Sequence, residues 1–132
     1  MSFDFSLIKE SKFVSSVKDV SGLNLVFDKF VINVSCAWRI IHDNQILLAA
    51  TDHTQQFGLP SSIDVGVKLQ ELLSGQTIVE YDINLKSGDF EVKFSNDYEL
   101  QIFNNSSGYE AWSMQLNDKN YVSISGGEVC QF

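Results

Sequence analysis

Through most of this chain an apolar side chain recurs at every second position, in short runs broken by turn residues. Leu23, Leu25 and Phe27 alternate with Asn24 and Asp28, and Phe30, Ile32 and Val34 repeat the pattern. Val79, Tyr81 and Ile83 alternate with Glu80, Asp82 and Asn84; Phe90, Val92 and Phe94 alternate with Glu91 and Lys93. Tyr98, Leu100 and Ile102, then Trp112, Met114 and Leu116, do the same. A period of two places one set of side chains on each face of a pleated strand, so these runs predict half-buried strands. Ile46 to Ala50 is a continuous apolar run, which predicts a strand covered on both faces. Tyr121–Ser125 and Glu128–Phe132 predict two last short strands separated by Gly126-Gly127. Asp28-Lys29, Ser87-Gly88-Asp89 and Ser95-Asn96-Asp97 are short enough to be hairpin turns, so the pairing is predicted antiparallel.

One segment breaks the alternation. Val65, Leu69, Leu72 and Leu73 fall on one helical stripe, and Gly75 stands where a left-handed stop residue belongs. Ser61 can cap this helix, with Asp64 in the place of the reciprocal capping-box acid. A second, shorter helix is expected over Phe5–Glu10. The predicted fold is α+β: mainly antiparallel β, as one curved sheet or two packed sheets in two similar halves, with one main helix near 62–74. All 132 residues fit a single domain. Within it, residues 12–50 and 76–125 read as two β-rich pseudo-repeats joined by the helix. "LNLVFDKFVINVSCAWRI" can be laid on "FEVKFSNDYELQIFNNSSGYEAWSM"; each reads strand, turn, strand, Ala-Trp. Trp38 and Trp112 then hold matching places, which suits core plugs that each need one acceptor for the indole N–H. Core candidates are Leu25, Phe27, Ile32, Trp38, Leu69, Leu72, Tyr81, Val92, Phe94, Leu100, Ile102 and Trp112.

Charge excludes some functions. Seventeen acids stand against one Arg and eight Lys, a formal net of −8, so the chain lacks the basic footprint of a nucleic-acid binder. The excess is uneven: Gln76–Phe132 holds nine acids and three lysines. The start, MSFDFSLIKE, has no basic region followed by an apolar run, and no apolar stretch is long enough to span a membrane. A cytoplasmic location is therefore expected. Cys36 and Cys130 are expected as free thiols, Cys36 within an apolar run.

Three groups of residues invite a chemical reading. In a strand, Glu110 would share a face with Trp112, where its carboxylate would have a raised pKa or accept the indole hydrogen bond. No partner base stands at a recognisable spacing, and a structural corner is the alternative. His42-Asp43 and Asp52-His53 flank the apolar run, yet in a single strand of that length they would lie ~30 Å apart. Nucleophile elbows, phosphate loops and Cys/His zinc spacings do not occur, so no catalytic residue, metal or cofactor is assigned. The third group is acidic. Glu80, Asp82, Glu91 and Glu99 occupy the non-apolar faces of three successive strands, and Asp89 and Asp97 sit in the turns between them. If the strands are neighbours, these acids form one patch that attracts a cationic protein over distance. The plainer alternative is a solvated outer face.

The order KFSND, LQIFNNSSGYEAW, SGGEV, preceded by CAWRI and QILLAATDH, resembles a group of small bacterial proteins over most of the chain from about Val14. Some of these are similar to immunity proteins of polymorphic toxin and contact-dependent growth inhibition systems. The resemblance implies a non-catalytic inhibitor that occludes a cognate toxin domain, for which a basic nuclease would be a fitting partner. Two other expectations remain beside it. One is a scaffolding module that self-associates through Glu128–Phe132; the other is a small enzyme using Glu110 or His42 and His53.

Overall fold

Hydrophobic burial and backbone pairing are satisfied together by two antiparallel sheets packed face to face, as a computed structural model of residues 3–124 and 126–132 shows. The strands are β1 (Phe13–Asp19), β2 (Gly22–Phe27), β3 (Phe30–Val34), β4 (Ala37–His42), β5 (Gln45–Ala49), β6 (Ile78–Ile83), β7 (Phe90–Phe94), β8 (Glu99–Phe103), β9 (Trp112–Leu116), β10 (Lys119–Ser123) and β11 (Val129–Gln131). One helix, α1 (Val65–Leu73), lies between β5 and β6. The first sheet runs β1-β2-β3-β9-β10-β11 and the second β5-β4-β8-β7-β6.

This order contains a repeat. In the first sheet, β1-β2-β3 is followed by β9-β10; in the second, β6-β7-β8 is followed by β4-β5. Shifting each of the first ten strands by five places maps one order onto the other, with β11 an extra edge strand of the first sheet. Each half forms a three-stranded meander in one sheet and sends its fourth and fifth strands across to the other. Matching hairpins close β4–β5 and β9–β10, through Asp43-Asn44 (φ 55 and 64) and Asn117-Asp118 (φ 50 and 66). Two successive left-handed residues make the primed turn that suits strand twist, and Asn and Asp tolerate it best after glycine.

The core lies between the sheets. Phe27 of the first sheet stacks on Phe94 of the second, with centroids 6.3 Å apart, and Trp112 packs on Phe90 at 5.6 Å. Of the core candidates, Leu72 and Tyr81 are half-buried and the rest are buried. Ile8, Phe13, Phe30 and Tyr121 join them. The Trp112 Nε1–H donates to the Gly88 carbonyl at 2.7 Å. Gly88 sits at φ +78, and a Cβ there would run into Ser123 Oγ and the Gly127 carbonyl. Gly88→Ala is therefore expected to destabilise by about 2–4 kcal/mol, through overpacking and a left-handed backbone together. Urea denaturation checks it; a loss under about 0.5 kcal/mol would show that the 84–89 turn moves away freely.

Five expectations need correction. Residues 6–10 form turns and not a helix: Glu10 takes φ 73 and gives its N–H to the Ile78 carbonyl, and so short a segment cannot nucleate alone. The cap of α1 is Asp64, not Ser61. The Asp64 carboxylate accepts from Gly66 and Val67 N–H, while Ile63 is held extended by backbone bonds to Thr54 and Gln55. The run at Ile46 is not covered on both faces. β5 is an edge strand, leaving Ile46 58% and Leu47 39% exposed. In β6 a bulge after Ile78 turns Ile78 into the core and leaves Val79 exposed. The predicted strand Tyr121–Ser125 appears as Lys119–Ser123, with Ser125 outside the described residues.

Candidate partner-binding face

The acidic residues are gathered by strand register. β6, β7 and β8 are neighbours, with Asp82 opposite Glu91 and Glu80 opposite Lys93. On the other side of β7, Glu91 faces Gln101 and Lys93 faces Glu99. Tyr81, Val92 and Leu100 share the intervening positions and point into the sandwich, so Glu80, Asp82, Glu91 and Glu99 come out on the solvent side. Glu91 is central. Its carboxyl is pushed above the usual range by partial burial first, then by the charges of Glu99, Asp82 and Asp89, with Arg39 pulling the other way.

The neighbouring cations offset this face only in part, Lys93 standing between Glu80 and Glu99 without an ion pair within 4.0 Å. Arg39, brought in by β4 opposite Gln101, donates from Nε to Gln101 Oε1 at 2.7 Å and lies over the Phe103 ring at 5.0 Å. Among the described residues the one ion pair within 4.0 Å is Lys68–Glu71 on the exposed side of α1. Uncompensated like charges on adjacent strands cost a few tenths of a kcal/mol per opposed pair.

The raised Glu91 pKa has a signed consequence. Protonation is easier in the folded state than in the unfolded chain, so this residue's contribution is most favourable below the ordinary glutamate value of 4.5. It is lost as pH rises through the folded value. Glu91→Gln should therefore be more stable than wild type at neutral pH, and the difference should fade at about pH 4. Paired denaturation curves at the two pH values test this; an advantage that grows on acidification would contradict it.

The other acids play different parts. Asp89 is half-buried, and its Oδ1 accepts from the Asn104 N–H at 3.1 Å, so it fixes a turn while adding to the field at Glu91. Asp97 lies in the β7–β8 turn at φ 66, at the far end of those strands from Asp89 and off the sheet face. The opposite outer face of the molecule differs in kind. There β2, β3, β9 and β10 present amides and hydroxyls such as Asn24, Asn33, Ser113, Gln115 and Asn120.

The residues with a chemical reading are not brought together. Glu110 precedes β9 and is exposed, and Trp112 takes the Gly88 carbonyl in its place as indole acceptor. Tyr109 is 80% exposed, on a loop braced by Ser106 Oγ, which accepts from the Gly108 and Tyr109 N–H groups. The chain does fold back after His42, but the two imidazoles meet different neighbours. His42 packs on Tyr98 at 4.5 Å, while His53 Nδ1 accepts from the Val65 N–H at the start of α1. Among the described residues no three His, Cys, Asp or Glu side chains are grouped to hold a metal ion. Cys36 and Cys130 are free, and burial, with the Asp89 charge adding to it, pushes the Cys36 thiol up to about 11, which suits a thiol that stays protonated.

Arg39 and Gln101 are the members of this face that strand periodicity alone left unread. Both alternate with core residues, yet their place beside Glu91 depends on β4 pairing with β8, across 62 residues of sequence.

Fold and face together describe a two-sheet antiparallel sandwich with one acidic and one neutral outer surface. No family model matches the chain, and neither the curated proteins nor the solved structures compared with it give a match. No helix among the described residues is long and apolar enough to cross a membrane.

Proposed function

We propose that the chain is an immunity-type binding protein that neutralises a cognate bacterial toxin domain, by covering its active or substrate-binding face. The observation that carries this reading is the acidic surface of β6, β7 and β8, where Glu80, Asp82, Glu91 and Glu99 stand together without ion-paired neutralisation. A basic nuclease is a fitting partner, because a surface built to hold phosphates is cationic and would be drawn to this face. Speed of encounter matters to an inhibitor that must act before its target does, and opposite fields raise association rates. The cytoplasm is the proposed location, where such a toxin would act. Asp89 and Asp97 extend the field beyond the sheet face, and the neutral outer face of the first sheet stays turned to water.

The test is binding to the C-terminal domain encoded immediately upstream in the source genome, measured at low and high salt. Co-purification with an affinity that falls steeply with salt supports the reading. Absence of binding at low salt removes it.

A further inference from the structure

The acidic sheet ends at an edge, and the edges of the molecule are not alike. At β1, α1 covers the strand: Gln70 Nε2 donates to the Val14 carbonyl, and Gln70 Oε1 accepts from the Ser16 N–H. β5 is interrupted by a register shift opposite Ile40 and Ile41, and its Ala49 N–H donates to Asp52 Oδ2 at 2.8 Å. β11 is three residues long. β6 differs from all of these. Its start is covered by backbone bonds between Ile78 and Glu10 and Ser11, and just past its end the Leu85 carbonyl accepts from the Val129 N–H at 3.1 Å, so the open stretch lies between them.

Beyond the bulge, the ladder sets which groups of β6 are open. The Asn84 N–H donates to the Asp89 carbonyl at 2.9 Å, so residues 84 and 89 form a hydrogen-bonded pair. In an antiparallel ladder such pairs recur at every second residue, which makes Asp82 and Glu91 the next one. Tyr81 and Ile83 therefore turn their N–H and C=O groups away from β7, and no backbone or side-chain bond among the described residues engages them. A second copy of the chain is a poor occupant, because antiparallel pairing at this edge would set Glu80 and Asp82 of the two copies against each other.

We infer that the edge at Tyr81–Ile83 accepts an extended basic segment of the partner as an additional β-strand. The open amides supply the docking bonds, and the charge beside them selects the occupant. Lysine or arginine at alternate positions of the added strand would face Glu80 and Asp82, with Glu91 one strand further in, while the residues between them lie beside Tyr81 and Ile83. This inference rests on the reading that the acidic face meets a basic protein, and it names the form in which that protein is grasped.

The test uses two synthetic peptides of alternating lysine and valine, one with an ordinary backbone and one N-methylated at every residue. Both carry the same charge; only the first can pair as a strand. Amide exchange of the full chain is followed by NMR at low salt. The ordinary peptide should slow exchange at Tyr81 and Ile83 on the order of tenfold, and the methylated one should not. Equal shifts around Glu91 with both peptides, and no slowing, would overturn strand addition while leaving the acidic face as a binding surface. Silence at Glu91 with either peptide would overturn both.

Discussion

Replacing Glu80, Asp82 and Glu91 by lysine is expected to slow association with the basic partner by about a hundredfold at low ionic strength. The three changes move the formal charge from −8 to −2. They act where the charges lie side by side, so the local field reverses more than the net figure implies. The effect should shrink as salt is added, since screening acts over ~10 Å at 0.1 M. Folding should be intact, because these side chains point to water, where the like-charge pairs that the exchange sets up between positions 82 and 91 and between position 80 and Lys93 cost only a few tenths of a kcal/mol each. Stopped-flow association across a salt series, with a denaturation midpoint for each variant, separates the two quantities. An unchanged on-rate at low salt would remove this face as the binding surface.

Trp112→Ala is expected to cost about 3–5 kcal/mol, a large part of the 5–15 kcal/mol that holds a domain of this size together. Trp112 is 1% exposed, packs on Phe90 across the sandwich, and gives its indole N–H to Gly88. Alanine removes the ring and leaves the Gly88 carbonyl without that donor. Trp112→Phe keeps most of the volume and loses only the bond, so about 1–2 kcal/mol is expected from it. Urea denaturation of both variants distinguishes packing from hydrogen bonding. Equal losses would mean that the bond to Gly88 carries the stability, and a loss below about 1 kcal/mol for alanine would contradict the core assignment.

Much of the fold was legible because a period of two is a property of single strands. The runs at Leu25, Ile32, Val92, Leu100 and Met114 each became a strand with its apolar side inward. Periodicity does not reveal where a strand sits in its sheet. That is why the run at Ile46 reads as buried from its composition alone, although an edge position exposes it. Bulges are equally hidden: one extra residue at Val79 changes which side chain of β6 enters the core. The hairpins at Asp43-Asn44 and Asn117-Asp118 carried a readable signal, since Asn and Asp favour left-handed turns, but those short polar pairs were overshadowed by the longer runs beside them.

The acidic face was legible for the same reason as the strands. Once β6, β7 and β8 pair in sequence order, alternation alone brings Glu80, Asp82, Glu91 and Glu99 to one side. Glu110 misleads because it lies two residues before Trp112 but outside the strand, where alternation no longer sets direction. Asp89 and Asp97 occupy turns, whose side chains follow local hydrogen bonds and not the pleat.

The most direct measurement is growth. The C-terminal domain encoded immediately upstream in the source genome is expressed with and without this chain, and with the triple lysine variant beside them. Rescue by the wild type, with weaker rescue by the variant, is the expected result. A domain that remains toxic in the presence of the wild-type chain would contradict the immunity function.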